Sequence, residues 1–411
     1  MYPKITLNLT AFFWLFFGTS LALTIEDVME ASAEKGSEAR KIKSDISSQK
    51  ALEFSNFEKV FLPSVSLNYL KEKGEEPIKL EREVKSLDVS YNVSELYKGG
   101  VGFYAGIKAI DANIFLLKMQ KNELAIASAT LFLEVLEIEK RIEVYEKFVE
   151  LNQKTRMQTE ERVRRGSAKP SSLYLVEAQL EEALSSLELE KNKLETAKSK
   201  FFSKTGLEAK NLVEPKVPQL KYKNLEDLIT KVKKENLALK SKESLKTASK
   251  YNLAYTSSQF LPDVSVSYQK YKNSNLLTNA EVEGSKITLS ARFYLYKPGL
   301  ISDVIQKGYE YQASKFAFKN EVDAKVDMAK ELWNLHEYHK KVFASREKVV
   351  KARRLIAKEK GEDYTVGRAE ITAKLDEEKN LIDAELVLIQ TKFQNLITIY
   401  KIKNIAGEYL F

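Results

Sequence analysis

Four short stretches of the chain alternate apolar and polar residues with a period of two. Val65, Leu67 and Tyr69 stand opposite Ser64, Ser66 and Asn68, and Leu87, Val89, Tyr91 and Val93 stand opposite Asp88, Ser90, Asn92 and Ser94. Further on, Val264, Val266 and Tyr268 oppose Asp263, Ser265 and Ser267, while Ile287, Leu289, Ala291, Phe293 and Leu295 oppose Thr288, Ser290, Arg292 and Tyr294. Successive side chains of a strand point to opposite faces, so the pattern predicts strands near 61–70, 86–97, 260–271 and 285–296, each with one apolar face. The polar segments 71–85 and 272–285 read as loops joining each pair.

The remaining sequence has helical periodicity. Thr24 with Asp27, and Asn224 with Asp227, are helix-starting pairs. Each predicts a helix running to the Phe-Leu-Pro at 61–63 or 260–262, where proline ends helix and biases its predecessor toward extended backbone. Downstream of the first strand pair, Leu124, Ser128, Leu131, Val135, Ile138, Ile142, Tyr145 and Val149 trace a coiled-coil stripe. Leu173, Leu180, Leu187 and Leu194 then recur every seventh residue beyond a break at 166–170. The second half repeats the plan: helix over about 301–360, a break at 361–368, and a return stripe through Leu375, Ile382, Leu386, Ile389, Phe393, Leu396 and Tyr400. A run of about 60 helical residues would reach about 90 Å, which no compact globular core requires.

The two halves are a duplication. Phe61-Leu62-Pro63-Ser64-Val65 returns as Phe260-Leu261-Pro262-Asp263-Val264, and at the same offset Leu96-Tyr97-Lys98-Gly99-Gly100 returns as Leu295-Tyr296-Lys297-Pro298-Gly299. The predicted organisation is a leader over 1–22, a first repeat over 23–220 and a second over 221–411, each made of helix, two strands and a coiled-coil hairpin. The leader combines Lys4, the apolar run Ala11 to Phe17, and the small residues Ser20 and Ala22, as an export signal does.

Composition narrows the class. Charged residues make up 30% of the 411, and mean hydropathy is −0.35, so beyond the leader no segment is expected to cross a membrane as a helix. A mature chain entering a membrane would do so as strands, for which these lengths and the flanking Tyr69, Tyr97, Tyr271, Phe293 and Tyr296 are suited. Four strands cannot close a barrel, so that reading obliges the chain to oligomerise. The net charge of +8 is interspersed through Lys/Glu helices and lacks the basic stripe of a nucleic-acid binder. Cysteine is absent, and the two histidines, His336 and His339, have no third ligand for a metal site, so no cofactor or metal is expected. Gly99-Gly100-Val101-Gly102 lacks the Gly-Lys-Ser/Thr of a phosphate loop and reads as a strand-to-helix passage. No enzymatic constellation emerges.

With its paired helix-Phe-Leu-Pro-strand units, duplicated hairpins and two hairpin tips, Arg165-Gly166-Ser167-Ala168 and Val366-Gly367-Arg368-Ala369, the chain resembles the TolC-like outer-membrane factor family. The resemblance implies a mainly α fold with β: a homotrimer with a twelve-stranded barrel in outer-membrane lipid and a periplasmic helical tunnel. It implies a passive exit duct, for efflux or type I secretion, docking with a periplasmic adaptor and an inner-membrane transporter. Arg165, Gly166, Ser167, Val366, Gly367 and Arg368 become the adaptor-contact candidates. Asp376, with Glu370 and Glu377 beside it, becomes the candidate acidic pore constriction, although Ala373 stands where a second aspartate would be expected. Aside from the resemblance, the residues also admit a non-transporting periplasmic coiled-coil tether or adaptor with soluble hairpins. The aromatic end, 409–411, is expected to pack against the helices.

Overall fold

A computed structural model of the chain describes residues 22–74, 80–275, 277–278 and 280–408. The leader up to residue 21 and the tail 409–411 lie outside these residues. The Thr24 hydroxyl accepts from the Asp27 N–H at 3.2 Å while the Asp27 carboxylate accepts from the Thr24 N–H at 3.1 Å. This reciprocal cap starts α1 (Ile25–Glu34), and after Gly36 the chain continues as α2 (Ser37–Phe61). In the second repeat Asn224 accepts from the Asp227 N–H at 2.9 Å and opens α5 (Leu225–Glu235), followed by α6 (Leu237–Ser258). The sequence pattern suggests one helix in each place, and the structure has two. At Asn236 the reason is visible. Its backbone is extended, its side-chain oxygen accepts from the N–H groups of Ala238 and Leu239, and its amide donates to the Ile405 carbonyl at 2.8 Å.

Strands β1 (Ser64–Gly74), β2 (Leu80–Asn92), β3 (Asp263–Asn275) and β4 (Ala280–Arg292) form one antiparallel sheet in chain order. They reach into the segments read as loops, because charges there pair across strands, as Arg82 with Glu72 at 2.8 Å and Lys272 with Glu281 at 2.8 Å. They also stop earlier at the helical end. The Asn92 side chain accepts from the Ser94 N–H at 3.1 Å and turns the chain into a 3₁₀ turn at Val93–Leu96.

The long helices are α3 (Lys98–Arg164) and α7 (Leu300–Thr365), returning as α4 (Pro170–Thr205) and α8 (Ile371–Ile405). The 67 residues of α3 correspond to about 100 Å. Gly99–Gly102 belong to this helix and are no passage before it; a Cβ on Gly102 would lie 3.0 Å from the Tyr255 ring, so the small residue lets α6 approach α3. Likewise α7 runs through Gly361. One 18-residue window of α3 has mean hydropathy 1.3, apolar enough by length and composition to cross a membrane, which departs from the expectation above. That helix nonetheless packs on α2 and α6, where it buries Ala105, Ile110 and Ala112.

The main core lies among α1, α3, α4 and α8. Phe132, Leu133 and Val135 of α3 meet Ile25 and Val28 of α1, Phe201 of α4, and Phe393 and Leu396 of α8. A second cluster joins Leu228 and Val232 of α5 to Leu332 of α7 and Ile402 of α8. A third, small cluster holds Val176, Tyr364, Ile371 and Leu375 near the hairpin ends.

Candidate functional site

Two parts of the molecule carry features that packing of a single chain does not explain: the sheet and the hairpin ends. Register aligns Val65, Val89, Tyr268 and Ile287 across all four strands, with Tyr91, Val266 and Leu289 in the next row toward the helices. The opposite face carries Ser64, Ser90, Ser267 and Thr288 in one row and Ser66, Asp88, Gln269 and Lys286 in the next. Val65, Leu67, Ile287 and Leu289 are 64–83% exposed, so the apolar face has no cover within the chain. The sheet is also open on both sides, because β1 and β4 each have only one neighbour. Tyr271 of the polar face lies across Gly284 of β4, where a Cβ would meet its hydroxyl at 2.7 Å.

The strands are fastened to the helices by contacts between repeats. Lys98, buried at the start of α3, donates to the Leu261 carbonyl at 2.7 Å and to the Asp263 carboxylate at 2.6 Å. The Tyr97 hydroxyl donates to the Pro262 carbonyl.

At the other end of the helices the two hairpins turn alike, bond for bond. The N–H groups of Arg165, Gly166, Ser167 and Ala168 donate to the carbonyls of Glu161, Val163, Arg162 and Arg162. Those of Val366, Gly367, Arg368 and Ala369 donate to Glu362, Tyr364, Asp363 and Asp363. Gly166 and Gly367 take φ of +74° and +81°, the left-handed conformation that ends a helix at least cost when no Cβ is present. The first tip exposes Arg164 and Arg165, each paired to Glu161 at 2.8 and 2.7 Å; the second exposes Val366. These ion pairs are surface pairs of small energetic weight.

The predicted acids are separated by the fold. Glu370 is the residue before α8 and is exposed, and Asp376 is exposed on that helix. Glu377 is half-buried and accepts from Arg353 of α7 at 2.8 Å. On the inner side of the same helix sits a buried polar pair that the sequence pattern does not single out. Lys374 and Glu378, one helical turn apart and both buried, lie 3.7 Å from each other, and Lys374 donates to Thr155 of α3 at 2.8 Å. Burial pushes Glu378 up to about 7 and holds Lys374 below the usual ammonium range. One turn nearer the tip, the hydroxyls of Tyr364 and Thr159 are 2.8 Å apart, and Arg162 donates to the Tyr364 carbonyl while its guanidinium lies over the ring at 4.5 Å. This network joins the first hairpin to the second. The Lys-Glu spacing of four beside the candidate acids was the available signal, but an exposed helical pair has the same spacing.

His336 shares a hydrogen bond with Asn395 at 2.8 Å and His339 is buried in the helix packing. Among the described residues no group of three or more His, Cys, Asp or Glu side chains is placed to hold a metal ion.

No protein-family model matches the chain, and no curated protein matches it by sequence. Solved structures do match it in fold. The outer-membrane channel OprN superposes with a TM-score of 0.81 at 14% identity, covering 94% of this chain and 90% of its own. The outer membrane protein VceC of Vibrio cholerae gives 0.81 at 12% identity over 93% and 96%. The open state of the MtrE outer membrane channel of Neisseria gonorrhoeae gives 0.77 at 15% identity over 93% and 89%. The chain therefore has the fold of these channels along nearly its whole length, the TolC-like fold that its tips and repeats resemble.

Proposed function

We propose that the protein is a passive exit duct of the outer membrane. Three copies close their sheets into a twelve-stranded barrel, and their helices extend into the periplasm as a tunnel. The observation that carries this reading is the sheet: two unpaired edges, one face apolar over its half nearer the helices with Val65, Leu67, Ile287 and Leu289 exposed, and the other lined with hydroxyls and charges. An edge-free barrel with lipid outside and water inside satisfies both faces and all backbone groups at once. Exposed apolar residues on α7, Ile301, Ile305, Tyr309 and Phe316, support the same assembly, since a neighbouring copy would cover them. The shared fold with channels named as outer-membrane proteins is consistent with it.

In this reading the tips, Arg165, Gly166 and Ser167 with Val366, Gly367 and Arg368, receive a periplasmic adaptor. That adaptor links the duct to an inner-membrane transporter of an efflux or type I secretion system. Asp376, Glu370 and Glu377 would place carboxylates near the narrow end, where ringed negative charge favours cations. The deciding experiment combines electron microscopy of detergent-extracted protein with conductance in planar lipid bilayers. Hollow trimers that conduct support the duct. A detergent-independent, non-conducting monomer or dimer overturns it in favour of a periplasmic coiled-coil tether.

A further inference from the structure

We infer that the outward face of the barrel carries a binding site for the phosphate groups of a lipid in the outer leaflet, built from Lys85, Lys270 and Lys272. This rests on the barrel reading above and adds a ligand to it. Register places Lys85 of β2 directly opposite Lys272 of β3, and Lys270 lies on the same face one row nearer the helices. Like charges directly opposed across a ladder repel; Glu83, Glu281 and Glu283 offset this in the isolated chain, and a lipid phosphate lying between the two ammonium groups would add to that stabilisation.

The position matches that ligand. Lys270 shares its row with Leu67, Leu87 and Ser285, the last row of the apolar face, and the next row is Tyr69, Lys85, Lys272 and Glu283. From Leu295, just past β4, to Ser285 the outward side runs about 33 Å along the strand, which at a tilt of 35–45° is about 25 Å of membrane. The lysines thus fall where hydrocarbon gives way to headgroups, with Leu67, Leu87 and Ile287 below them for acyl chains. Lys85 lies over the Tyr69 ring at 5.8 Å, an aromatic at the expected interfacial depth.

The neighbouring carboxylates do not cancel the site. Lys85 pairs with Glu83 at 2.6 Å, where Glu83 is half-buried, and Lys272 with Glu281 at 2.8 Å and Glu283 at 3.2 Å, where both carboxylates are exposed. Glu283 shares the row of Lys85 and Lys272, directly opposite Lys272, while Glu83 and Glu281 stand one row farther toward water. An ammonium has three donors, so each lysine keeps capacity for a phosphate oxygen. Among the described residues Lys270 forms no ion pair. A basic residue near a membrane surface contributes roughly fivefold in affinity for anionic lipid, so three together favour a lipid carrying more than one phosphate charge. The same cross-strand cleft is an open depression of about 490 Å³ that includes all three lysines.

The test uses the full-length trimer in detergent, with diphosphoryl lipid A, phosphatidylethanolamine and inorganic phosphate as probes, read by native mass spectrometry. Conductance in phosphatidylcholine bilayers serves as the assembly control. Lipid A is expected to bind at least tenfold more tightly than phosphatidylethanolamine, and Lys85→Gln/Lys270→Gln/Lys272→Gln is expected to lose at least tenfold while still conducting. The corresponding triple arginine variant should retain binding. If the triple glutamine variant does not assemble, Lys270→Gln alone should lose about fivefold. Unchanged binding in the glutamine variants, or competition by inorganic phosphate at matched concentration, overturns the lipid site while leaving the duct intact. A wild-type protein that does not conduct overturns the duct, and the site with it.

Discussion

Lys98 and Asp263 meet at 2.6 Å across the two repeats, fixing the first turn of α3 to the first residue of β3. The lysine side chain is 3% exposed and the aspartate 42%, so the pair is buried on one side only. Removing the carboxylate leaves a buried ammonium with one carbonyl partner, whereas removing the ammonium leaves a carboxylate that water can reach. Asp263→Ala, about 3 kcal/mol, should therefore cost more than Lys98→Met, and thermal unfolding of the assembled protein measures the difference.

The tip glycines are constrained by backbone. Gly166 and Gly367 lie at positive φ, where an L-residue with a Cβ is strained by about 1–2 kcal/mol. Ala at either position should lower the unfolding temperature modestly. In the proposed duct it should also weaken adaptor capture, and the double variant should do so more than either single one. Pull-down with the partner adaptor, alongside thermal melts, separates docking from stability.

The buried pair near the tips makes the junction between hairpins pH-dependent. Glu378 titrates near 7 in the folded protein against an unfolded value of 4.5, so between these values the folded state binds the extra proton. Where the folded state holds more protons, stability falls as pH rises; the loss accumulates from about pH 4.5 to 7 and is complete above that, about 3 kcal/mol. Glu378→Gln should flatten this slope. Unfolding midpoints at pH 5 and pH 8, for both proteins, provide the check.

Gly284 makes room for Tyr271. Gly284→Val should obstruct the ring, which would lie 2.8 Å from the new Cβ, and reduce the yield of assembled protein. Tyr271→Ala in the same chain should restore much of it, because the space is then free. Assembly measured by size-exclusion of the detergent extract distinguishes the single from the double variant.

The helix-bridging hydroxyl pair can be read similarly. Tyr364→Phe removes the 2.8 Å bond to Thr159 and leaves the ring under Arg162, for an expected loss of about 1 kcal/mol. Thr159→Val with Tyr364→Phe should cost little more than one change, as a shared bond predicts. A double-mutant cycle on thermal stability measures it.

Much of this architecture was legible along the chain because it rests on local and periodic signals. The alternation through Val65 to Tyr69 and through Val264 to Tyr268 predicts strands because side-chain direction alternates by stereochemistry alone. Thr24–Asp27 and Asn224–Asp227 announce helix starts because both halves of each cap lie within one turn, and the repeated Phe-Leu-Pro exposes the duplication. Strand ends were less legible. Lys272 and Glu281 read as loop residues until their partners across the hairpin are known, and the break at Asn236 depends on the distant Ile405 carbonyl. The burial of Lys374 and Glu378 likewise follows from packing of α8 against α3, between residues far apart in sequence, and an i, i+4 charge pair alone looks like a solvated face. Period and capping are properties of neighbouring residues and so are written in the chain; register, burial and the opposition of Lys85 to Lys272 arise only when distant segments share space, and the folded structure alone could decide them.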